Sequence, residues 1–262
     1  MLPTAERLKL GVISHLKGGD ENSGGRGTRL HERLARVEVD PKVWSKYVLY
    51  MANDLHIRQL AGKVPDLDWH EITQGRPLRV DIGMGMGERI ISLAEGDESR
   101  YYLGMEVYSR YIQRAVTNAD EKSLDNFSVM MADAAWSLTT IPDGGVEGVT
   151  LFFPPVPHDF KAHPKHRKNE IVTPVMMRQV SRVLKDGGYF YFKSDSNQYL
   201  ERVKSMIEEN FPELEVVVTT HGKEDQNLTR YQAIWQGHEI PTHALICVRK
   251  NRSSLPKDDG SI

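Results

Sequence analysis

A single cysteine, Cys247, occurs among 262 residues, which rules out an intrachain disulfide and a cysteine-built zinc site. No apolar run reaches the ~20 residues of a transmembrane helix. The N-terminus also lacks the charged-then-apolar layout of a secretory signal, so a cytoplasmic protein without membrane attachment is expected. A basic surplus is missing as well: 34 Lys and Arg against 36 Asp and Glu leave a net charge of −2, whereas dedicated nucleic-acid binders are usually basic. Contact with a polyanion must therefore come from a local patch. Two stretches qualify: 23–36, with Arg26, Arg29, Arg33 and Arg36 against Glu32 alone, and 161–168, which has no acid. His158, His163 and His166 have neither a fixed helical spacing nor carboxylates in register, so no metal is expected.

The length suits one α/β domain with short extensions, large enough to bury a full core. Gly18-Gly19 and Gly24-Gly25 lie in a stretch rich in Gly, Ser and charge, which predicts a flexible arm over 1–40. A helical extension is expected over 41–76, opening with a helix over 41–55 capped by Asp40. A principal domain should occupy 77–250, leaving a tail at 251–262.

From residue 77 strand-like and helix-like segments alternate. Strands are expected at 78–82, 101–105, 127–131, 146–153, 189–192, 214–220 and 244–249. Helices are expected at 88–94, 110–118, 134–140, 172–184 and 197–210, with Gly187-Gly188 stopping the fourth. This alternation predicts a doubly wound, mostly parallel sheet with an antiparallel excursion in its last two strands. Ligands of such sheets bind beyond the carboxyl ends of the strands.

At the first of those ends stands Asp81-Ile82-Gly83-Met84-Gly85-Met86-Gly87-Glu88. Its glycines allow a tight turn and a close approach of backbone to ligand. The spacing is G-x-G-x-G rather than the G-x-G-x-x-G of dinucleotide sites. Glu106, ending the second strand, is placed to bind ribose hydroxyls. These two features leave a nicotinamide cofactor and S-adenosylmethionine both open. Asp81 favours the latter, since a carboxylate suits a cationic methionine moiety better than a pyrophosphate. Asp133, after the third strand, is placed for an adenine amino group or as a helix N-cap.

The fourth strand ends in Phe152-Phe153-Pro154. Together with Gly104-Met105-Glu106-Val107, Asp133-Ala134, Ser194-Asp195, Thr229-Arg230-Tyr231-Gln232 and Gly237-His238-Glu239-Ile240, these residues resemble the tRNA (guanine-N7-)-methyltransferase family over about 76–249. The resemblance implies a Rossmann-like class I S-adenosylmethionine-dependent methyltransferase acting on a guanine of the tRNA variable loop. It places Asp81, Glu106 and Asp133 on cofactor-binding positions, with Gly83, Gly85 and Gly87 between them. It places Asp195, and the motif holding Thr229, Tyr231 and Gln232, against the substrate. The basic run with Lys161, Lys165 and Arg167 suits phosphate contacts.

Two departures stand out. The family has Asp-Pro-Trp after Phe-Phe-Pro, where this chain has Pro155-Val156-Pro157, and Gln232 replaces a glutamate. The family's active-site aspartate is thus absent, Asp159 is the candidate replacement, and Asp195 is the other candidate catalytic carboxylate. These changes leave open another RNA or a small molecule as substrate, or a silent RNA-binding homologue.

Overall fold

The computed structural model describes residues 39–51, 67–156, 170–222, 241–251 and 253. The arm expected over 1–40 lies almost wholly outside them, as do most of the C-terminal tail, the basic run with Lys161, Lys165 and Arg167, Asp159, and the motif with Thr229, Tyr231 and Gln232.

Helix α1 (Pro41–Tyr47) begins where the Asp40 carboxylate accepts the Lys42 N–H and proline takes the first turn. It does not run on to residue 55. At Val48 the chain becomes strand β1 (Val48–Met51), which pairs in parallel with a later strand through Val48↔Val129 and Met51↔Met131. Branched and aromatic side chains fit a sheet edge whose backbone groups need partners, and that outweighs the helical pattern.

After the short helix α2 (Trp69–Thr73) the alternation follows the sequence closely. Strand β2 (Leu78–Ile82) leads into α3 (Glu88–Gly96), and β3 (Tyr101–Glu106) into α4 (Ser109–Glu121). Strand β4 (Phe127–Met131) precedes α5 (Ala134–Ser137) and a 3-10 turn (Leu138–Thr140). Strand β5 (Val146–Phe152) is followed by α6 (Pro174–Val183), β6 (Leu184–Ser194), α7 (Asn197–Asn210), β7 (Leu214–Gly222) and β8 (Thr242–Arg249). The junction of α6 and β6 departs most from expectation. Helix α6 ends at Val183, before Gly187-Gly188, and those glycines lie inside β6. The register there jumps from Val146↔Leu184 to Gly148↔Tyr189, so Gly187, at φ +74°, lies in an outward bulge rather than a helix stop.

The described strands form one sheet in the order β1-β4-β3-β2-β5-β6-β8-β7. Its pairs are parallel except β6·β8 and β7·β8, the expected antiparallel excursion. Successive residues of each strand face opposite layers. One layer joins Tyr102, Val129 and Met131 to Ile90 and Ile91 of α3, Ile112 and Val116 of α4, and Trp44 of α1. The other packs Val80, Leu103, Val149, Phe190 and Phe192 against α6 and α7 through Met177, Val180, Leu200 and Val203.

Candidate active site

The sheet order sets five strand ends in a row: β4, β3, β2, β5 and β6. At ~4.8 Å between neighbours that row is ~19 Å long. It brings together Asp133 after β4, Glu106 at the end of β3, the glycine turn after β2, Phe153-Pro154 after β5 and Asp195 after β6. These residues are spread over more than a hundred positions of sequence, and only the parallel topology collects them.

The turn after β2 is shaped by three left-handed glycines, at φ +67° (Gly83), +60° (Gly85) and +78° (Gly87). Gly87 is tight for a different reason from the other two. A Cβ there would come within 3.0 Å of Ala115, so it permits α3 and α4 to approach. A Cβ on Gly83 or Gly85 would meet nothing within 4 Å, so bare backbone borders open space, as a cradle for a ligand requires. Met84 packs down on Gly104, where a Cβ would collide with its sulfur at 2.0 Å; the loop is thereby seated on β3.

Glu106 closes this cradle. Its carboxylate accepts the N–H groups of Gly85 (3.0 Å), Val107 (2.7 Å) and Tyr108 (3.1 Å). Burial raises its pKa, opposed by those N–H donors. The carboxylate joins the glycine turn to the start of α4, with lone pairs remaining for a diol. Asp133 is exposed and accepts the Trp136 N–H at 3.2 Å through one oxygen, so it is an N-cap with a second oxygen available to a ligand. Trp136 is a packing residue, its ring 4.9 Å from that of Tyr50.

Asp81 has a more enclosed setting than its sequence position suggests. It is 6% exposed, takes the Thr150 hydroxyl at 2.6 Å and lies 3.6 Å from the Arg89 guanidinium. Desolvation pushes its pKa up, while Arg89 and Thr150 pull it down. Arg89, Thr150 and Tyr102 line a small cleft with it beneath α3, partly open to solvent. Neither Arg89 nor Thr150 is signalled by the sequence, because nothing in their spacing shows that they flank one carboxylate.

At the next strand end Phe153 holds φ +52°, a region that a bulky side chain seldom enters and that the following proline further disfavours. Such a residue carries roughly 1–3 kcal/mol of strain. Its N–H donates to the Lys193 carbonyl at 2.8 Å. Pro155, in place of the expected aspartate, is exposed, while Pro154 is buried. Asp195 follows β6, half-buried. Among the described residues no group of His, Cys, Asp and Glu has the geometry of a metal site, and no helix is long and apolar enough to cross a membrane.

Taken together, an open glycine cradle beside a hydrogen-bonded acid and a capping aspartate fits a ligand with a flexible chain, a ribose and a base. This is the shape of S-adenosylmethionine. A family model described as "Putative methyltransferase" matches residues 75–243. The tRNA (guanine-N(7)-)-methyltransferase of Alkalilimnicola ehrlichii is 32% identical over 189 residues, 70% of this chain and 77% of that protein. The one from Photobacterium profundum is 33% identical over 143 residues, 54% of this chain and 57% of its own length. Among solved structures, the 16S rRNA methyltransferase KamB superposes with a TM-score of 0.53 at 13% identity, covering 72% of this chain and 95% of that one. A 16S rRNA (adenine(1408)-N(1))-methyltransferase variant from Catenulisporales acidiphilia, solved with S-adenosylmethionine, gives 0.50 at 13%, covering 74% and 96%. At such identities the structural likenesses speak for the fold alone.

Proposed function

The chain belongs to the tRNA (guanine-N7-)-methyltransferase family, and from that premise we propose that it methylates N7 of a guanine in the variable loop of tRNA. The observation that carries the reading is the open cradle of Gly83 and Gly85 locked to Glu106. S-adenosylmethionine supplies the electrophilic methyl group. The glycine backbone would receive its methionine portion, Glu106 the ribose hydroxyls and the second oxygen of Asp133 the adenine amino group. Asp81, already engaged by Thr150 and Arg89, would act mainly by holding the turn and setting a negative potential beneath the sulfonium.

Guanine N7 has an unprotonated lone pair at neutral pH, so the chain need not remove a proton from it. What it must supply is alignment of nitrogen, methyl and sulfur along one line, with negative charge near the ring where a cation develops. Asp195, one strand from Phe153-Pro154, serves that end by accepting from the guanine N1–H and amino group. Asp159 would be a second carboxylate, and Lys161, Lys165, Arg167, Thr229, Tyr231 and Gln232 would complete the tRNA contacts.

The test is incubation of the protein with radiolabelled S-adenosylmethionine and unmodified tRNA, followed by nucleoside analysis. Labelled 7-methylguanosine is expected; bound cofactor without labelled tRNA would move the substrate elsewhere. Asp195→Ala should reduce transfer by ~100-fold or more, as loss of a transition-state interaction does, with cofactor affinity unchanged. Weaker cofactor binding in that variant would place Asp195 in the wrong site.

A further inference from the structure

Phe152 ends β5 immediately before the strained Phe153, and two cations meet its ring. The Arg89 guanidinium carbon lies 4.4 Å from the ring centroid and Lys193 Nζ lies 4.7 Å from it. Lys193 is also 5.0 Å from the Tyr191 ring, which itself meets Phe152 edge-on at 4.9 Å. Arg89 is joined to Asp81 at 3.6 Å and reaches the Thr150 hydroxyl at 3.4 Å. A continuous run of contacts therefore links the base of the glycine turn to the ends of β5 and β6.

Lys193 is only 2% exposed. Burying an ammonium is costly compared with filling the same space by an apolar side chain, and the residues on either side of it in the opposite layer, Phe192 and Ser194, are buried without charge. Cation–ring contacts gain strength where water is excluded, so this lysine holds Phe152 more rigidly than a methylene stem would. The backbone of the same residue fixes the next one, since the Lys193 carbonyl accepts the Phe153 N–H.

We propose that Lys193 and Arg89 are positioning residues for methyl transfer. By gripping Phe152 they keep Phe153 in its left-handed conformation, and with it the Pro154-Pro155 turn that borders the target base. With Pro155 at this position the turn offers no carboxylate of its own, so its rigidity carries part of the alignment. The kinetic part of the inference rests on the methyltransferase reading; the structural part does not.

Lys193→Met keeps the stem and removes the charge, and Lys193→Arg restores a cation able to stack on a ring. A misplacement of about 1 Å costs up to ~100-fold in rate, so Lys193→Met should lower kcat by ~10- to 100-fold. KM for tRNA and cofactor affinity should change by less than about 3-fold. Lys193→Arg should recover most of kcat. Hydrogen exchange at the Phe153 amide should quicken in the Met variant and return to the wild-type rate in the Arg variant. Phe152→Leu removes both cation contacts and should be at least as impaired as Lys193→Met. The two combined should be no worse than Phe152→Leu, because the lysine's grip on that ring is already lost there. Wild-type kcat and exchange in Lys193→Met, an Arg variant as poor as the Met variant, or additive losses in the double variant would each overturn the proposal. Should the wild-type protein leave tRNA unlabelled, the functional reading falls, and amide exchange alone still decides whether the grip exists. Phe152→Leu also serves if Lys193→Met does not fold.

Discussion

Gly85 has to be glycine on two counts. Its φ of +60° strains any L side chain, and the space over its Cα is open. Gly85→Val should therefore weaken S-adenosylmethionine binding by at least ~10-fold, by filling the cradle and displacing the N–H held by Glu106, about 1.4 kcal/mol. Calorimetric titration checks this, and unchanged affinity would remove the cradle from the cofactor site. Gly87 behaves differently, because a Cβ there meets Ala115 and Ile91 at 3.0 and 3.1 Å; the expected loss in Gly87→Ala is of stability first. Cys247 is buried in β8, and burial pushes its thiol pKa up to about 12. It should resist alkylating reagents at pH 8 in the native protein and react only on unfolding; ready labelling of the folded chain would contradict its placement.

At the scale of elements, ion pairs join the amino ends of the strands, opposite the ligand edge. Glu147 of β5 accepts from Arg100 (2.5 Å), Arg79 (2.9 Å) and Lys185 (3.3 Å), which brings β2, β3, β5 and β6 to one carboxylate. Burial alone would raise its pKa, but these donors prevail and hold it at about 2. A carboxyl whose pKa is lowered by folding stabilises the protein above its unfolded pKa, and that contribution is lost as pH falls toward the folded value. Thermal stability should thus decline between about pH 4.5 and 2, and Glu147→Gln should flatten this component while costing ~2 kcal/mol at pH 7. A melting profile over that range unchanged by the substitution would show the cluster to be solvated. Helix α6 has a similar fastening: Arg182 donates to the carbonyls of Ile141 and Leu138, at 2.9 and 2.8 Å.

Across the whole molecule, α1 and β1 extend the sheet and its packing. Tyr47 is 1% exposed, and its hydroxyl lies 3.1 Å from the Ala119 carbonyl and 3.0 Å from that of Leu124. This fastens α1 across the end of α4, while β1 supplies the outer partner of β4. Tyr47→Phe removes this hydroxyl, while the Ala119 carbonyl keeps the Leu124 N–H, so it should cost ~0.5–1.5 kcal/mol and lower the melting temperature by a few degrees. The unfolding should stay a single transition if α1 belongs to the same cooperative unit; a separate early transition would show that it does not.

Local pattern was enough to locate β2, β4 and α7, whose expected and observed bounds coincide, because period and composition act over a few residues. The glycine turn and the acid that ends β3 were legible for the same reason. Where helix and strand signals competed, at Val48 and at Leu184, the sheet decided, since a parallel partner rewards extended backbone that the local chain does not require. The sequence by itself determined which strands and helices could form and which chemical groups stand at their ends. Only the tertiary structure decided that Asp81 is clasped by Arg89 and Thr150, that Phe153 is strained, and that Phe152 lies beside two cations. Apart from the Asp81–Arg89 pair, these contacts join residues roughly 40 to 70 positions apart, and strand order, not spacing along the chain, sets such distances.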